Sequence, residues 1–213
     1  MHRVVALDGP VASGKSTIGR RAAARFGLAF LDTGLLYRAT GARVLDAGGN
    51  PDDAELASRI AADLGREDLA RDDLQTQAVA DAASRVSALP PVRDALLAYQ
   101  RRFADQPEGA LLVGRDIGTV VCPNAKPKIF LTASAEARAQ RRFQELRSAG
   151  VDVIYADVLQ QVRARDARDT TRKLAPLQPA ADAILLDTTA MDLEAAVSAV
   201  CAAIDAVKLP GID

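Results

Sequence analysis

The sequence predicts an α/β fold in which a five-stranded parallel sheet carries helices on both faces. Three observations lead there. Short apolar runs of strand length alternate with longer stretches of helical period. The first of these runs leads directly into a glycine-rich loop that opens a helix. A chain of 213 residues, 49% of them hydrophobic, is long enough to bury one sizeable core.

The elements follow in order. Val4-Val5-Ala6-Leu7-Asp8 is an apolar run that stops at Gly9-Pro10, the pattern of a buried parallel strand. Met1 and His2 lead into it without the long apolar stretch or cleavage site of a secretory signal, so none is expected. Residues 15–26 turn helical, with Gly27 placed to end the helix. Residues 28–31 form a second strand candidate, and Asp32 or Thr33 can cap a helix running through 35–45. Gly48-Gly49-Asn50-Pro51-Asp52 is a loop by composition. Two or three polar, Asp-rich helices are expected between 53 and 103, broken near Gly65 and at Pro90-Pro91. Residues 110–113, 128–131 and 183–186 supply three more strands. An arginine-dense helical region at 135–172 separates the last two, 191–207 reads as a closing amphipathic helix, and the tail after Lys208 reads as loose. The expected organisation is one domain: a core of about 1–47, 90–134 and 173–213, an insert at about 48–89 and a lid region at about 135–172.

Composition narrows the functional classes. With 27 basic against 28 acidic residues the net charge is -1, which argues against a general nucleic-acid binder. The lack of 18 consecutive apolar residues excludes a membrane-spanning helix. Cys122, Cys201 and the single histidine, His2, cannot assemble a zinc site, a disulfide framework or a Ser-His-Asp triad, so a cytoplasmic chain is expected. Only Lys15, Lys126, Lys128, Lys173 and Lys208 among the basic residues are lysine; the rest are arginine, whose rigid fork suits phosphate and carboxylate. GC-rich coding would produce the same bias, so position rather than number must decide which arginines matter.

Gly9-Pro10-Val11-Ala12-Ser13-Gly14-Lys15-Ser16, followed by Thr17, matches G-x-x-x-x-G-K-[ST]. Glycines let the backbone curl so that several N–H groups face phosphate oxygens, and the next helix adds its positive N-terminal end. Lys15 reaches the β- and γ-phosphates of a bound nucleotide, and the Ser16 hydroxyl can ligate Mg²⁺. These residues are therefore the ATP-binding candidates, on a P-loop NTPase fold. The Asn-Lys-x-Asp string of a guanine-binding GTPase is missing, the nearest match being Asn124-Ala125-Lys126-Pro127. A motor ATPase needs more chain. A small-molecule or nucleotide kinase remains, with arginines on a lid that closes over two phosphate-bearing substrates.

Four further stretches make the resemblance specific. They are Leu31-Asp32-Thr33-Gly34-Leu35-Leu36-Tyr37-Arg38, then Thr76-Gln77 through Ala83-Ser84 to Pro91-Val92-Arg93, then Gly114-Arg115-Asp116-Ile117-Gly118-Thr119-Val120-Val121, and last Arg165-Asp166-Ala167-Arg168-Asp169-Thr170-Thr171-Arg172 with Ala175-Pro176-Leu177. In this order the chain resembles the bacterial cytidylate kinases over nearly its whole length. The resemblance implies phosphoryl transfer from ATP to CMP and dCMP, with Mg²⁺, by a monomer. It implies that Arg38 and Arg115 hold the acceptor phosphate, that Thr33, Arg93, Asp116 and Arg172 contact cytosine, and that Arg165 and Asp169 lie at the ribose. Arg165 would also stand near the transferring phosphates, making Lys15, Arg115 and Arg165 the catalytic group. Arg138, Arg141 and Arg142 fall in the lid region and would meet ATP phosphates on closure.

Against these roles stand plainer readings. Arg165, Asp169 and Arg172 are spaced as a surface salt-bridge ladder. Arg138, Arg141 and Arg142 could line a solvated helix face, and Tyr37 could be packing. Two departures from the family pattern also matter. The residue before Gly-Arg-Asp is usually aspartate, a carboxylate that orients water on Mg²⁺, whereas here it is Val113, leaving Asp8 or Asp116 for that task. The insert is short and charged across 64–74, where many members carry a small β-sheet and a ribose-holding serine; Arg71 or a neighbour takes that place. The choice between CMP and dCMP therefore stays open. So do a kinase for UMP or another small acceptor on the same core, and a weakened nucleotide-binding protein whose turnover Val113→Asp would restore.

Overall fold

The computed structural model describes residues 3–207. The expected lead-in at Met1 and His2, and the tail from Lys208, lie outside the described residues. Five strands form one sheet: β1 (Val4–Asp8), β2 (Ala29–Asp32), β3 (Ala110–Gly114), β4 (Lys128–Thr132) and β5 (Ile184–Asp187). Their order across the sheet is β2-β3-β1-β4-β5, which puts the first strand in the middle. β1 runs parallel to β3 with Val4 beside Ala110, and parallel to β4 with Leu7 beside Ile129. The helices are α1 (Lys15–Arg25), α2 (Thr33–Asp46), α3 (Ala54–Ala62), α4 (Arg66–Leu69), α5 (Gln77–Val86), α6 (Pro90–Ala104), α7 (Ala135–Ser148), α8 (Tyr155–Thr171) and α9 (Leu193–Asp205).

The chain divides into two compact units. One comprises the residues up to Leu31 and those from Ala104 on; the other is Asp32–Phe103. The first unit holds the sheet. Val5, Leu7, Leu111, Val113, Ile129 and Leu131 face Ile18, Ala22, Val200 and Ile204 of α1 and α9 in one core. Ala6 and Leu112 point to the opposite face by the two-residue alternation of a strand, and they too are fully buried. Both faces of the central strands are therefore covered, which explains why β1 and β3 read as unbroken apolar runs. The same unit contains a helical hairpin: α7 and α8 close over Ala139, Val158 and Val162, with the Phe143 and Tyr155 rings edge to face at 6.0 Å.

The second unit is all helical. It packs α2 on α5 so closely that a Cβ at Gly41 would stand 2.9 Å from the Ala83 nitrogen. Three arginines tie its surface: Arg43 to Asp63 and Asp68, Arg71 to Asp46 and Asp73, Arg85 to Asp52. Arg71, which with its neighbours takes the place of the family's ribose-holding serine, thus pairs with two carboxylates. This unit is wider than the expected insert, because α2 and α6 belong with it.

Two local expectations become more definite in the structure. The break expected at Pro90-Pro91 falls just before these residues, between the end of α5 at Val86 and Pro90, and the prolines themselves start α6, since proline's fixed φ and missing N–H suit the first turn. Asp32, rather than Thr33, caps α2, its carboxylate accepting the Gly34 N–H at 2.9 Å.

Candidate active site

The loop from Gly9 to Ser16 joins the end of β1 to α1. Gly9 is required by space: a Cβ there would sit 2.4 Å from the Leu131 carbonyl oxygen. Gly14 is required by conformation, with φ +82 at the N-cap of α1. Ala12 also takes a positive φ, +58. Lys15 is 6% exposed, and its Nζ donates to the Pro10 carbonyl at 2.7 Å, which closes the loop on itself. Ser13 is fully buried, and its Oγ has no hydrogen-bond partner in the structure. Ser16 and Thr17 stand in the first turn of α1.

Asp8, the last residue of β1, is 5% exposed and accepts the N–H groups of Ile117 and Gly118, both at 2.8 Å. Those residues begin a π-helical turn, Ile117–Val121, for which Asp116 is the N-cap residue. Burial pushes the Asp8 carboxyl up to about 6; the two N–H bonds and the Lys15 ammonium oppose that rise, and Asp116 adds to it.

Arg115 and Asp116 emerge from the end of β3 beside the end of α8. The Arg115 Nε donates to the Asp169 carboxylate at 2.9 Å, and the pair is largely buried. The Arg172 guanidinium lies 3.8 Å from the Asp116 carboxylate, again nearly out of water, while its Nε donates to the Ala175 carbonyl at 2.6 Å. Burial pushes the Asp169 carboxyl up, but Arg115, Arg165 and Arg172 together hold it below its usual value. A solvated ladder does not describe this group. Asp116, Asp169, Arg115 and Arg172 are crossed pairs between two elements, and Arg165 adds its field to Asp169.

In the helical unit, Thr33 is buried at the start of α2. Arg38 donates to the Leu74 carbonyl at 2.5 Å. Arg93 is 8% exposed, lies 5.7 Å from the centre of the Tyr37 ring and donates to the Ser87 carbonyl at 3.3 Å. Tyr37 is therefore a platform for Arg93.

Arg138, Arg141 and Arg142, three of the four arginines of α7, do not form a solvated face. Arg138 is 4% exposed and its guanidinium is engaged by Ala133, Val11 and Asp166. Arg141 donates to the Thr188 and Met191 carbonyls in the loop after β5. Arg142 pairs with Glu145 at 2.9 Å.

Val113 is fully buried, with its Cγ2 2.7 Å from where a Cβ on Gly19 would lie. It belongs to the sheet core, between α1 and β3. Asp8 and Asp166 are the site residues to which the motifs assigned least. Asp8, a lone acid ending an apolar strand, stood in the sequence only as an alternative to Asp116 for orienting water on Mg²⁺; Asp166 carried no signal beyond its place in a charged string.

The family model described as cytidylate kinase matches residues 5–206. The chain is 56% identical to the cytidylate kinase of Methylocella silvestris, over 92% of this chain and 91% of that protein. Against the cytidylate kinases of Paramagnetospirillum magneticum and Cereibacter sphaeroides the identity is 52%, covering 93% and 98% of this chain and 96% and 97% of theirs. Among solved structures, a gluconokinase from Sinorhizobium meliloti aligns with TM-score 0.51 at 18% identity, covering 97% of this chain and 93% of that one. An uncharacterized protein from Eubacterium ventriosum aligns with TM-score 0.54 at 14% identity, over 97% and 99%. At those identities the likeness speaks to the fold, a parallel α/β sheet of the P-loop NTPase kind.

Proposed function

We infer the function from one premise: this chain belongs to the cytidylate kinase family. It transfers the terminal phosphoryl group of ATP to CMP, giving ADP and CDP, and the proposal extends to dCMP. It further holds that the enzyme works as a monomer in the cytoplasm, within pyrimidine nucleotide metabolism.

The observation that carries the site assignment is the crossed, buried set of Arg115, Asp116, Asp169 and Arg172. Buried ion pairs contribute little net stability, because desolvation offsets their attraction. Such a set is explained better by a ligand that needs fork-shaped donors and carboxylate acceptors together. A nucleoside monophosphate is that ligand: its phosphate suits Arg115, a cytosine amino group can donate to Asp116, and Arg38 is a phosphate contact by the family resemblance alone. Thr33, Arg93 and Arg172 complete the base contacts in this proposal, and Arg165 and Asp169 those to the ribose.

The donor end is the loop of residues 9–17. Its backbone N–H groups, the start of α1 and the Lys15 ammonium would hold the ATP phosphates. The buried Ser13 hydroxyl is a further donor there, without a protein partner of its own.

For Mg²⁺ the donor set fits. No group of three His, Cys, Asp or Glu that could hold a metal occurs among the described residues. A cation here would take the Ser16 hydroxyl, with phosphate oxygens and water as its other ligands, as Mg²⁺ ordinarily does. When bound it supplies neutralisation of the phosphate charge. No strong protein base is needed, since phosphoryl transfer depends on alignment and charge neutralisation rather than on proton abstraction. Arg141 and Arg142 remain candidate phosphate contacts on α7.

The test is a coupled ADP-release assay with ATP and Mg²⁺, run in parallel with CMP, dCMP, UMP and AMP. CMP should be the fastest acceptor, with dCMP turned over as well. Consumption of UMP or AMP with CMP spared would overturn the acceptor assignment. ATP binding without turnover on any acceptor would leave a nucleotide-binding protein.

A further inference from the structure

Arg138 lies in the first turn of α7, and its guanidinium reaches three separate segments of chain. Nε donates to the Ala133 carbonyl at 2.9 Å, and Nη1 to the Val11 carbonyl at 3.1 Å. Nη1 and Nη2 also form a two-pronged pair with Asp166 of α8 at 2.9 and 2.6 Å. Val11 lies inside the phosphate loop. A second contact joins the same segments independently, for the Val11 side chain packs on the apolar cluster of Ala139, Val158 and Val162 between α7 and α8. The loop is therefore docked on the α7–α8 hairpin twice, by a methyl-bearing side chain and by a carbonyl.

The geometry of one peptide gives this docking a consequence. In a trans peptide the C=O and the following N–H point to opposite sides. Anchoring the Val11 carbonyl on Arg138 turns the Ala12 N–H away from the hairpin, at a residue that already holds φ +58. Successive N–H groups turned in this way make an anion-binding concavity.

We propose that Arg138 and Asp166 are positioning residues for the ATP phosphate loop: Asp166 aims the Arg138 fork, and Arg138 holds the Val11 peptide so that the loop stands preformed. Arg138 on this account does not touch a phosphate. The proposal rests on the assignment of ATP to this loop.

The distinguishing variant is Asp166→Asn, which keeps the shape and removes the charge that aims the fork. Full-length wild type and variant are titrated calorimetrically with ADP and, separately, with CMP, and the KM for ATP and kcat are measured. ADP affinity should fall about tenfold, the scale of losing one charge-assisted hydrogen-bonded contact. KM for ATP should rise by a similar factor, while CMP affinity stays within threefold. Arg138→Lys keeps the charge but loses the fork, and should give a smaller loss of the same kind. Tighter ADP binding in Asp166→Asn would overturn the proposal, since Asp166 would then be withholding a phosphate-binding arginine. A lowered melting temperature with ADP affinity unchanged would overturn it too, as would an equal loss of CMP affinity. Wild type that binds neither nucleotide would instead remove the assignment of function, a result distinguishable from all of these.

Discussion

Lys15 is an ammonium held nearly out of water against the Pro10 carbonyl, a group that can exchange that oxygen for phosphate oxygens of higher charge. Lys15→Ala should therefore reduce kcat for CMP by about a thousandfold, as loss of a donor aimed at developing charge commonly does. Steady-state assays check this, and retention of most activity would remove Lys15 from the mechanism. Val113 makes the opposite case. Its side chain meets Leu7, Leu111 and α1 at Gly19, all apolar surroundings. Val113→Asp should lower stability by about 3 kcal/mol, the scale of burying an unpaired polar group. No gain in turnover should accompany it. Denaturant melts and the coupled assay read the two effects separately; a stable, faster variant would show that the strand end can hold a carboxylate.

The helix α1 supports the phosphate loop only because it lies close to β3, and Gly19 sets that distance. Gly19→Ala raises helix propensity by about 1 kcal/mol, yet its methyl would stand 2.7 Å from the Val113 Cγ2 and 3.2 Å from Leu7 and Leu111 side-chain carbons. Overpacking costs about 1–3 kcal/mol and should exceed the propensity gain, so the net effect is destabilising. Val113→Ala in the same chain should recover part of the loss, and equilibrium unfolding of the wild type, the two single variants and the double variant measures that coupling. At this scale the chain was readable where a local rule governs. Asp32, one of the two capping candidates in the sequence, accepts the Gly34 N–H at the start of α2, and Asp53, Thr76, Ser134 and Asp192 obey the same preference at other helix starts. The π-helical turn after Asp116 was not readable, because it is held by Asp8 from a strand more than a hundred residues away.

For the whole molecule, two buried carboxylates act in opposite directions with pH. Asp8 is raised to about 6 from 3.8, so it binds its proton more tightly when folded. Its contribution to stability is full below the unfolded value and is lost as pH rises through about 6, a difference of about 3 kcal/mol. Asp169 is lowered, so its contribution is present above the unfolded value and is lost as pH falls through the folded one. Thermal midpoints should therefore rise as pH falls from 8 to 5 and drop again below about 4. Asp8→Asn should flatten the first limb; an unchanged limb would show that another group titrates there. The Arg115-Asp116 string was recognisable through the family resemblance, whereas the alternation of strands and helices and the phosphate loop could be read from the chain alone. Each depends on residues adjacent in sequence: glycines set a loop's dihedrals, and the period of apolar residues sets an element's type. What each arginine does could not be read that way. Arg115 on Asp169, Arg138 on Asp166 and Val11, and Arg141 on the Thr188 carbonyl join residues from 28 to 127 positions apart. A guanidinium pairs with whichever oxygen the fold places beside it away from water, and only tertiary packing decides which oxygen that is.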